Sequence, residues 1–163
     1  MVLKAMIMAA GVGSRLDPLT ANVPKPLITI ANRPMMDILL ERLLDFSIKD
    51  VIANTHYMAE NIISRYKEND MGVKFSYVHE EELSGTAGGV KKCQFFFEEG
   101  EDFLVLSADG LSNVDLKRGI DSHKKSGALV SMGIKTIPES EISNFGVVVT
   151  DKDGFVLEFQ EKP

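Results

Sequence analysis

The fold is decided by "KAMIMAAGVGSRLDPLTANVPKPL", Lys4 to Leu27. After Lys4, the six residues Ala5 to Ala10 form a short, uninterrupted apolar run, which is the pattern of a strand buried on both faces. A glycine-rich turn comes at once, and then a lysine confined between Pro24 and Pro26. A connecting loop needs glycine or proline to turn, but it has no need to fix a cation between two prolines. In an open α/β sheet, the residues just past the strand C-termini line the ligand crevice. The stretch therefore predicts a buried first strand that delivers an anion-binding loop.

The remainder of the chain repeats this organisation. "KDVIANTH" (49–56), "VKFSYVHE" (73–80), "DFLVLSAD" (102–109) and "ALVSMGIKTI" (128–137) are further apolar or β-branched runs bounded by polar residues. Between them, "PMMDILLERLLDF" from Pro34 spaces its apolar side chains at helical intervals, and "MAENIISRYKEN", "TAGGVKKCQFFFEE" and "DLKRGIDSHKKSG" serve as further helices. Strands alternating with helices predict a parallel sheet. At the end, "FGVVVTDKDGFVLEFQEKP" (145–163) is two strand-like runs around Asp153-Gly154, a hairpin turn signal. The expected fold is α/β: a Rossmann-like three-layer sandwich with a mostly parallel central sheet and a C-terminal antiparallel hairpin. With 163 residues, 44% of them hydrophobic, and no repeat or linker, the chain reads as one domain, 1–163.

Composition narrows the function. Eighteen Lys and Arg against 24 Asp and Glu give a formal net charge of −6, so no general attraction to nucleic acid or to an anionic membrane is expected. The single cysteine, Cys93, rules out an internal disulfide and suits a reducing compartment, the cytoplasm. The N-terminal apolar run is too short for a membrane span. Any anion site must be local.

Three segments fall just after strands: Gly11 to Lys25, "EELSGTAGGV" (81–90), and Asp109-Gly110. Gly11 and Gly13 permit positive φ and leave backbone N–H groups open to a phosphate. Arg15 can fork two hydrogen bonds onto phosphate oxygens, and Lys25 adds a compact charge. Two better-known phosphate loops do not match. The third glycine of G-x-G-x-x-G would fall at Leu16, and no G-K-[ST] triplet exists. "HEEEL" (79–83) lacks the second histidine of a zinc protease, His56, His79 and His123 have no ligand spacing, and Glu80 to Glu82 read as a solvated face. Cys93 reads as a small packed residue.

"AAGVGSRLDPLTANVPKPL" closely resembles the nucleotide-binding motif of the sugar-phosphate nucleotidylyltransferases. The resemblance continues through "NRP" (32–34), "GTAGG" (85–89), "SADGLSNVDL" (107–116), "FGVV" (145–148) and "EKP" (161–163). It implies transfer of NMP from a nucleoside triphosphate to a sugar 1-phosphate, with Mg2+ as cofactor. Ala9, Ala10 and Gly11 would approach the nucleobase and ribose. Gly13, Ser14 and Arg15 would hold the phosphates, and Lys25 would neutralise the α-phosphate. Gly85 and Thr86 would meet the base edge, although read locally the same stretch is a plain helix start capped by Thr86. Asp109 would be the metal ligand; Asp115 reads locally as a helix N-terminal residue, although it too matches the family's Asp-Leu pair. Gly146 would offer its backbone to sugar hydroxyls, Glu161 would accept hydrogen bonds from them, and Lys162 would hold the sugar phosphate. Ala108 stands where the family usually has glycine. The family normally continues past Glu-Lys-Pro to more of the sugar-binding lobe and a second metal-binding aspartate, so the chain resembles a truncated catalytic domain. Two alternatives accompany this reading: a non-catalytic nucleotide or sugar-nucleotide-binding regulatory domain, and a cytidylyltransferase for an alcohol phosphate such as phosphocholine. The "GTAGG" and "NTHYMAENI" stretches look more like mannose 1-phosphate guanylyltransferases than thymidylyltransferases, and the resemblance admits a homo-oligomer.

Overall fold

A computed structural model describes residues 3–161 and 163. In chain order the strands are β1 (Lys4–Met8), β2 (Thr29–Ile30), β3 (Arg33–Pro34), β4 (Asp50–Thr55), β5 (Lys74–His79), β6 (Phe103–Ser107), β7 (Gly146–Thr150) and β8 (Val156–Glu161). The α-helices are α1 (Met35–Asp45), α2 (Ala59–Tyr66), α3 (Gly85–Lys92) and α4 (Leu116–Ser126). The chain divides into two compact units, Met1–Leu116 and Lys117–Pro163.

The first unit is built on a four-stranded sheet in the order β5-β4-β1-β6, parallel throughout. β1 is central, and Ala5, Met6 and Ile7 are fully buried, as are Val51, Ile52 and Ala53 of β4. Side chains alternate across a strand. Met6 and Ile52, register partners, share one face, where they cluster with Cys93, Met8 and Val90. Ala5, Ile7, Val51 and Ala53 point the other way and are equally buried, as are Met36, Leu40 and Leu43 of α1 and Ile62 of α2. This is the layered, parallel α/β arrangement expected from the sequence.

The helices begin and end for local reasons. α1 follows Pro34, whose extended ψ of 139° cannot be helical, and stops where Ser47 takes a φ of +61°. Its Asp37 is tied to α2: the Tyr66 hydroxyl donates to Oδ1 at 2.6 Å and Arg65 Nε donates to the same oxygen at 3.1 Å. Burial alone would raise the Asp37 carboxyl, but these bonds and the Arg65 charge outweigh it and hold it below its ordinary value.

Three sequence expectations change. The helix over "TAGGVKKCQFFFEE" ends at Lys92, and Gln94–Phe96 form a 3-10 turn. The turn leaves Phe97 stacked on Phe103 with ring centroids 4.0 Å apart, so packing of the aromatic run outweighs helix propensity. The short hairpin of β2 and β3 was not anticipated; Ala31 and Asn32 turn it with φ of +51° and +61°. Finally, 128–137 is not a strand. Leu129 is wholly exposed and Val130 79% exposed, and among the described residues the segment has no ladder partner. A β-branched run becomes a strand only when a neighbour satisfies its backbone groups.

The second unit contains the expected antiparallel hairpin, β7 with β8. Gly154 takes a φ of +87°, and the Asp151 carboxylate accepts from Asp153 N at 2.9 Å and Phe155 N at 2.8 Å. Asp151, which sequence reading passed over, organises the turn.

Leu40→Ala, at a position fully buried on α1, is expected to lower unfolding free energy by about 2–5 kcal/mol, whereas exposed Lys67→Ala should stay within about 0.5 kcal/mol. Urea titration followed by circular dichroism checks both values.

Candidate nucleotide site

The C-terminal ends of β1, β4, β5 and β6 open on one cleft of about 480 Å³. Ala9, Ala10, Gly11, Gly13, Ser14, Arg15, Lys25, Gly85, Thr86 and Asp109 all line it. Parallel strands in register end together, so segments 70 or more residues apart in sequence meet at one edge.

The loop after β1 is shaped from within. Gly13 takes a φ of +72°, and a Cβ there would stand 3.0 Å from Thr20 Cγ2 and 3.2 Å from Lys25 Cβ. The positive φ favours glycine at this point, and the close approach of Thr20 and Lys25 leaves little room for a side chain. Gly11 differs from expectation: its φ is not positive, and it faces open space. Thr20, buried, donates its hydroxyl to Gly13 O at 3.1 Å, and the Tyr57 hydroxyl donates to Thr20 O at 3.0 Å. Neither residue stood out in the sequence, because a hydroxyl that folds a loop has no distinctive spacing. Pro24 and Pro26 are buried and Lys25 starts a 3-10 turn between them, so burial as well as ring stiffness aims the lysine.

Lys25 Nζ donates to Asp109 Oδ2, and Ser107 Oγ donates to Oδ1. Burial would raise the Asp109 carboxyl, but the Lys25 and Ser107 hydrogen bonds and the Lys25 charge prevail and lower it. Asp109 therefore stays ionised at neutral pH. Arg15 is exposed and makes no side-chain hydrogen bond among the described residues. Ala108 is buried, and its N–H donates to Met8 O at 3.0 Å, carrying the ladder one residue past β6.

Also lining the cleft, α3 starts at Gly85 with Ser84, not Thr86, in the capping position. Glu80 overturns its reading as a solvated residue: it is 1% exposed. Its carboxylate accepts from Asn54 Nδ2 at 2.7 Å, Ser84 N at 3.1 Å and Lys92 Nζ at 3.1 Å, and from Ser84 Oγ. Burial pushes this group up, but the hydrogen bonds from Ser84, Asn54 and Lys92 prevail and bring it down to about 2. Its signal in the sequence was place: like Asp109, it is an acidic residue at the end of a strand in the parallel sheet. Cys93 is fully buried, and that burial pushes its thiol up to about 11, as a packed residue requires.

In the second unit, Gly146 and Glu161 are register partners across β7 and β8, and a Cβ on Gly146 would stand 3.2 Å from Glu161 Oε2. Lys162 lies outside the described residues. Asp115 immediately precedes α4. Among the described residues no three His, Cys, Asp or Glu side chains gather as a metal cage, and no helix is long and apolar enough to cross a membrane.

The sequence profile described as nucleotidyl transferase matches residues 4–163. A UTP-glucose-1-phosphate uridylyltransferase of Synechocystis is 39% identical over 99% of this chain and 44% of its own length. The catalytic subunit beta of mannose-1-phosphate guanylyltransferase from Drosophila pseudoobscura pseudoobscura is 34% identical, over 98% of this chain and 43% of its own. Among solved structures, HddC from Yersinia pseudotuberculosis complexed with GMP-PN superposes with a TM-score of 0.78 at 28% identity, covering 99% of this chain and 70% of that one. The chain thus spans less than half the length of the two relatives it matches by sequence.

Because Glu80 titrates at about 2 in the fold against an ordinary 4.5, its contribution to stability is complete above about pH 5 and is lost as pH falls from 4.5 toward 2. Urea unfolding at pH 5 and pH 3 should show a steeper acid loss in the wild type than in Glu80→Gln, which has no carboxyl to protonate; equal slopes would contradict the assignment.

Proposed function

Since the chain belongs to the nucleotidyl transferase family, we propose that it transfers a nucleoside monophosphate from a nucleoside triphosphate to a sugar 1-phosphate, releasing pyrophosphate. The observation that carries this reading is the Lys25–Asp109 pair in a cleft that also holds Arg15 and the Gly13 loop. It joins groups suited to phosphate with one suited to a metal cation. The activities for which the uridylyltransferase and guanylyltransferase relatives are named support the same class.

In this reading an oxygen of the sugar phosphate attacks the α-phosphorus in line. A new P–O bond forms as the bond to the bridging oxygen breaks, and pyrophosphate leaves with that electron pair. The protein supplies alignment and charge stabilisation. Backbone at Ala9, Ala10 and Gly11 faces the base and ribose, and Gly85 and Thr86 face the base edge. Gly13 and Ser14 seat the phosphates through backbone N–H groups, while Arg15 holds the departing pyrophosphate. Lys25 moves from Asp109 to the α-phosphate, where it gains strength as negative charge grows in the transition state. Gly146 and Glu161 take the sugar hydroxyls, and Lys162 takes the phosphate of the sugar 1-phosphate. Asp109 fits a magnesium ion, because it is ionised, 35% exposed in the cleft and already paired with a cation. A bound magnesium would be held by Asp109 and would supply neutralisation of phosphate charge. The reaction's small, soluble substrates suit a cytoplasmic location.

Pyrophosphate release with magnesium, each nucleoside triphosphate being screened against sugar 1-phosphates, tests the proposal. Release that needs both substrates is expected. Retained nucleotide binding without release would instead support a regulatory domain. Lys25→Ala is expected to lower kcat by about 100-fold or more while weakening nucleotide binding much less. Stopped-turnover and binding measurements that fell equally would sink the role assigned to Lys25.

A further inference from the structure

We propose that Glu80 is a positioning residue that sets the distance between the two walls of the nucleoside end of the cleft. The inference rests on the functional reading above, and it concerns residues that reading left without a role.

Glu80 is anchored through its backbone. Its N–H donates to Thr55 O at 2.8 Å, and His56 Nδ1–H donates to its carbonyl at 2.7 Å. Its side chain then joins two segments that share no ladder. One arm runs through Asn54, whose Oδ1 accepts from Ala9 N at 3.0 Å while its Nδ2 donates to Glu80 Oε1. The other runs through Oε2 to the backbone and hydroxyl of Ser84, the residue that opens α3. The chain Ala9–Asn54–Glu80–Ser84 therefore links two parts of the cleft lining, the loop after β1 and the helix start that presents Gly85 and Thr86.

Donor and acceptor types allow one arrangement. Every group facing Glu80 is a donor, so only an acceptor-only carboxylate satisfies them all. With Ala9 donating at one end and Glu80 accepting at the other, the Asn54 amide has a single orientation. Burying a charge to hold a fold costs more than burying an apolar side chain of the same volume. What the carboxylate adds is a directional, fixed spacing.

The glycines of "GTAGG" give independent support. A Cβ on Gly89 would stand 2.6 Å from Asn54 Nδ2 and 3.2 Å from Glu80 Oε1, and one on Gly88 would stand 2.5 Å from Ser84 Cβ. Both positions are kept free of side chains where α3 passes over this relay. Arg15, Lys25 and Asp109 take no part in it. The relay thus governs the nucleoside end of the cleft and leaves the phosphate end alone.

Titration calorimetry separates the two ends. Two probes are used on the full chain: whichever of ATP, CTP, GTP, UTP and dTTP binds the wild type best, and inorganic triphosphate. Glu80→Gln, which sets an amide N–H among donors, is expected to weaken the nucleotide by about tenfold while triphosphate changes by less than about twofold. Lys92→Met removes one donor from a half-exposed side chain, leaves the core untouched, and should move the same ratio in the same direction by about threefold. A parallel loss of both probes, or no loss of either, overturns the positioning role. A wild type that binds triphosphate and every nucleotide alike also overturns it, leaving the phosphate cradle standing. A wild type that binds neither overturns the functional reading and the inference together.

Discussion

The first unit depends on one constraint: β1 is hydrogen-bonded on both sides by parallel strands, so its last residue can release the chain in only one direction. Met8 is in register with Asn54 on one side and Ser107 on the other. These three residues reach the edge of the sheet at the same level, and the segments leaving that edge must face the same cleft. The glycine loop, the buried Asn54 amide and the Asp109 carboxylate are neighbours for this reason. Local sequence alone would not bring any of them together.

The same constraint explains how opposite charges come to share the cleft. Lys25 and Asp109 are 84 positions apart, yet strand register brings one past the end of β1 and the other past the end of β6. Proline burial on either side of Lys25 limits the directions its stem can take. The Ser107 hydroxyl and the lysine then engage both carboxylate oxygens, and the group stays charged although partly buried. Contacts within the fold thus hold both charges at the edge of the cleft.

Where sequence reading fell short, tertiary context had reversed a local rule. An acidic triplet ordinarily lies on a solvated face, but Glu80 is the first residue past β5, and four donor groups converge on its carboxylate. The run 128–137 has strand composition, yet composition cannot supply a ladder partner. The phenylalanines after Cys93 continue a helical pattern, but stacking of Phe97 on Phe103 breaks it. In each case a distant residue decides, and spacing along the chain carries no record of it.

The sequence by itself determined the alternation of strands and helices, the buried character of β1, the hairpin at the end and the glycine-rich loop after β1 that carries Gly13, Arg15 and Lys25. These rest on short-range periods and on side-chain chemistry that needs no partner to be recognised. Only the tertiary structure decided that Lys25 faces Asp109, that Thr20 and Tyr57 brace the loop, and that Glu80 joins the end of β5 to Asn54 of β4 and to the start of α3. Those facts depend on strand order and register, and both are fixed by backbone hydrogen bonds between segments far apart in the chain.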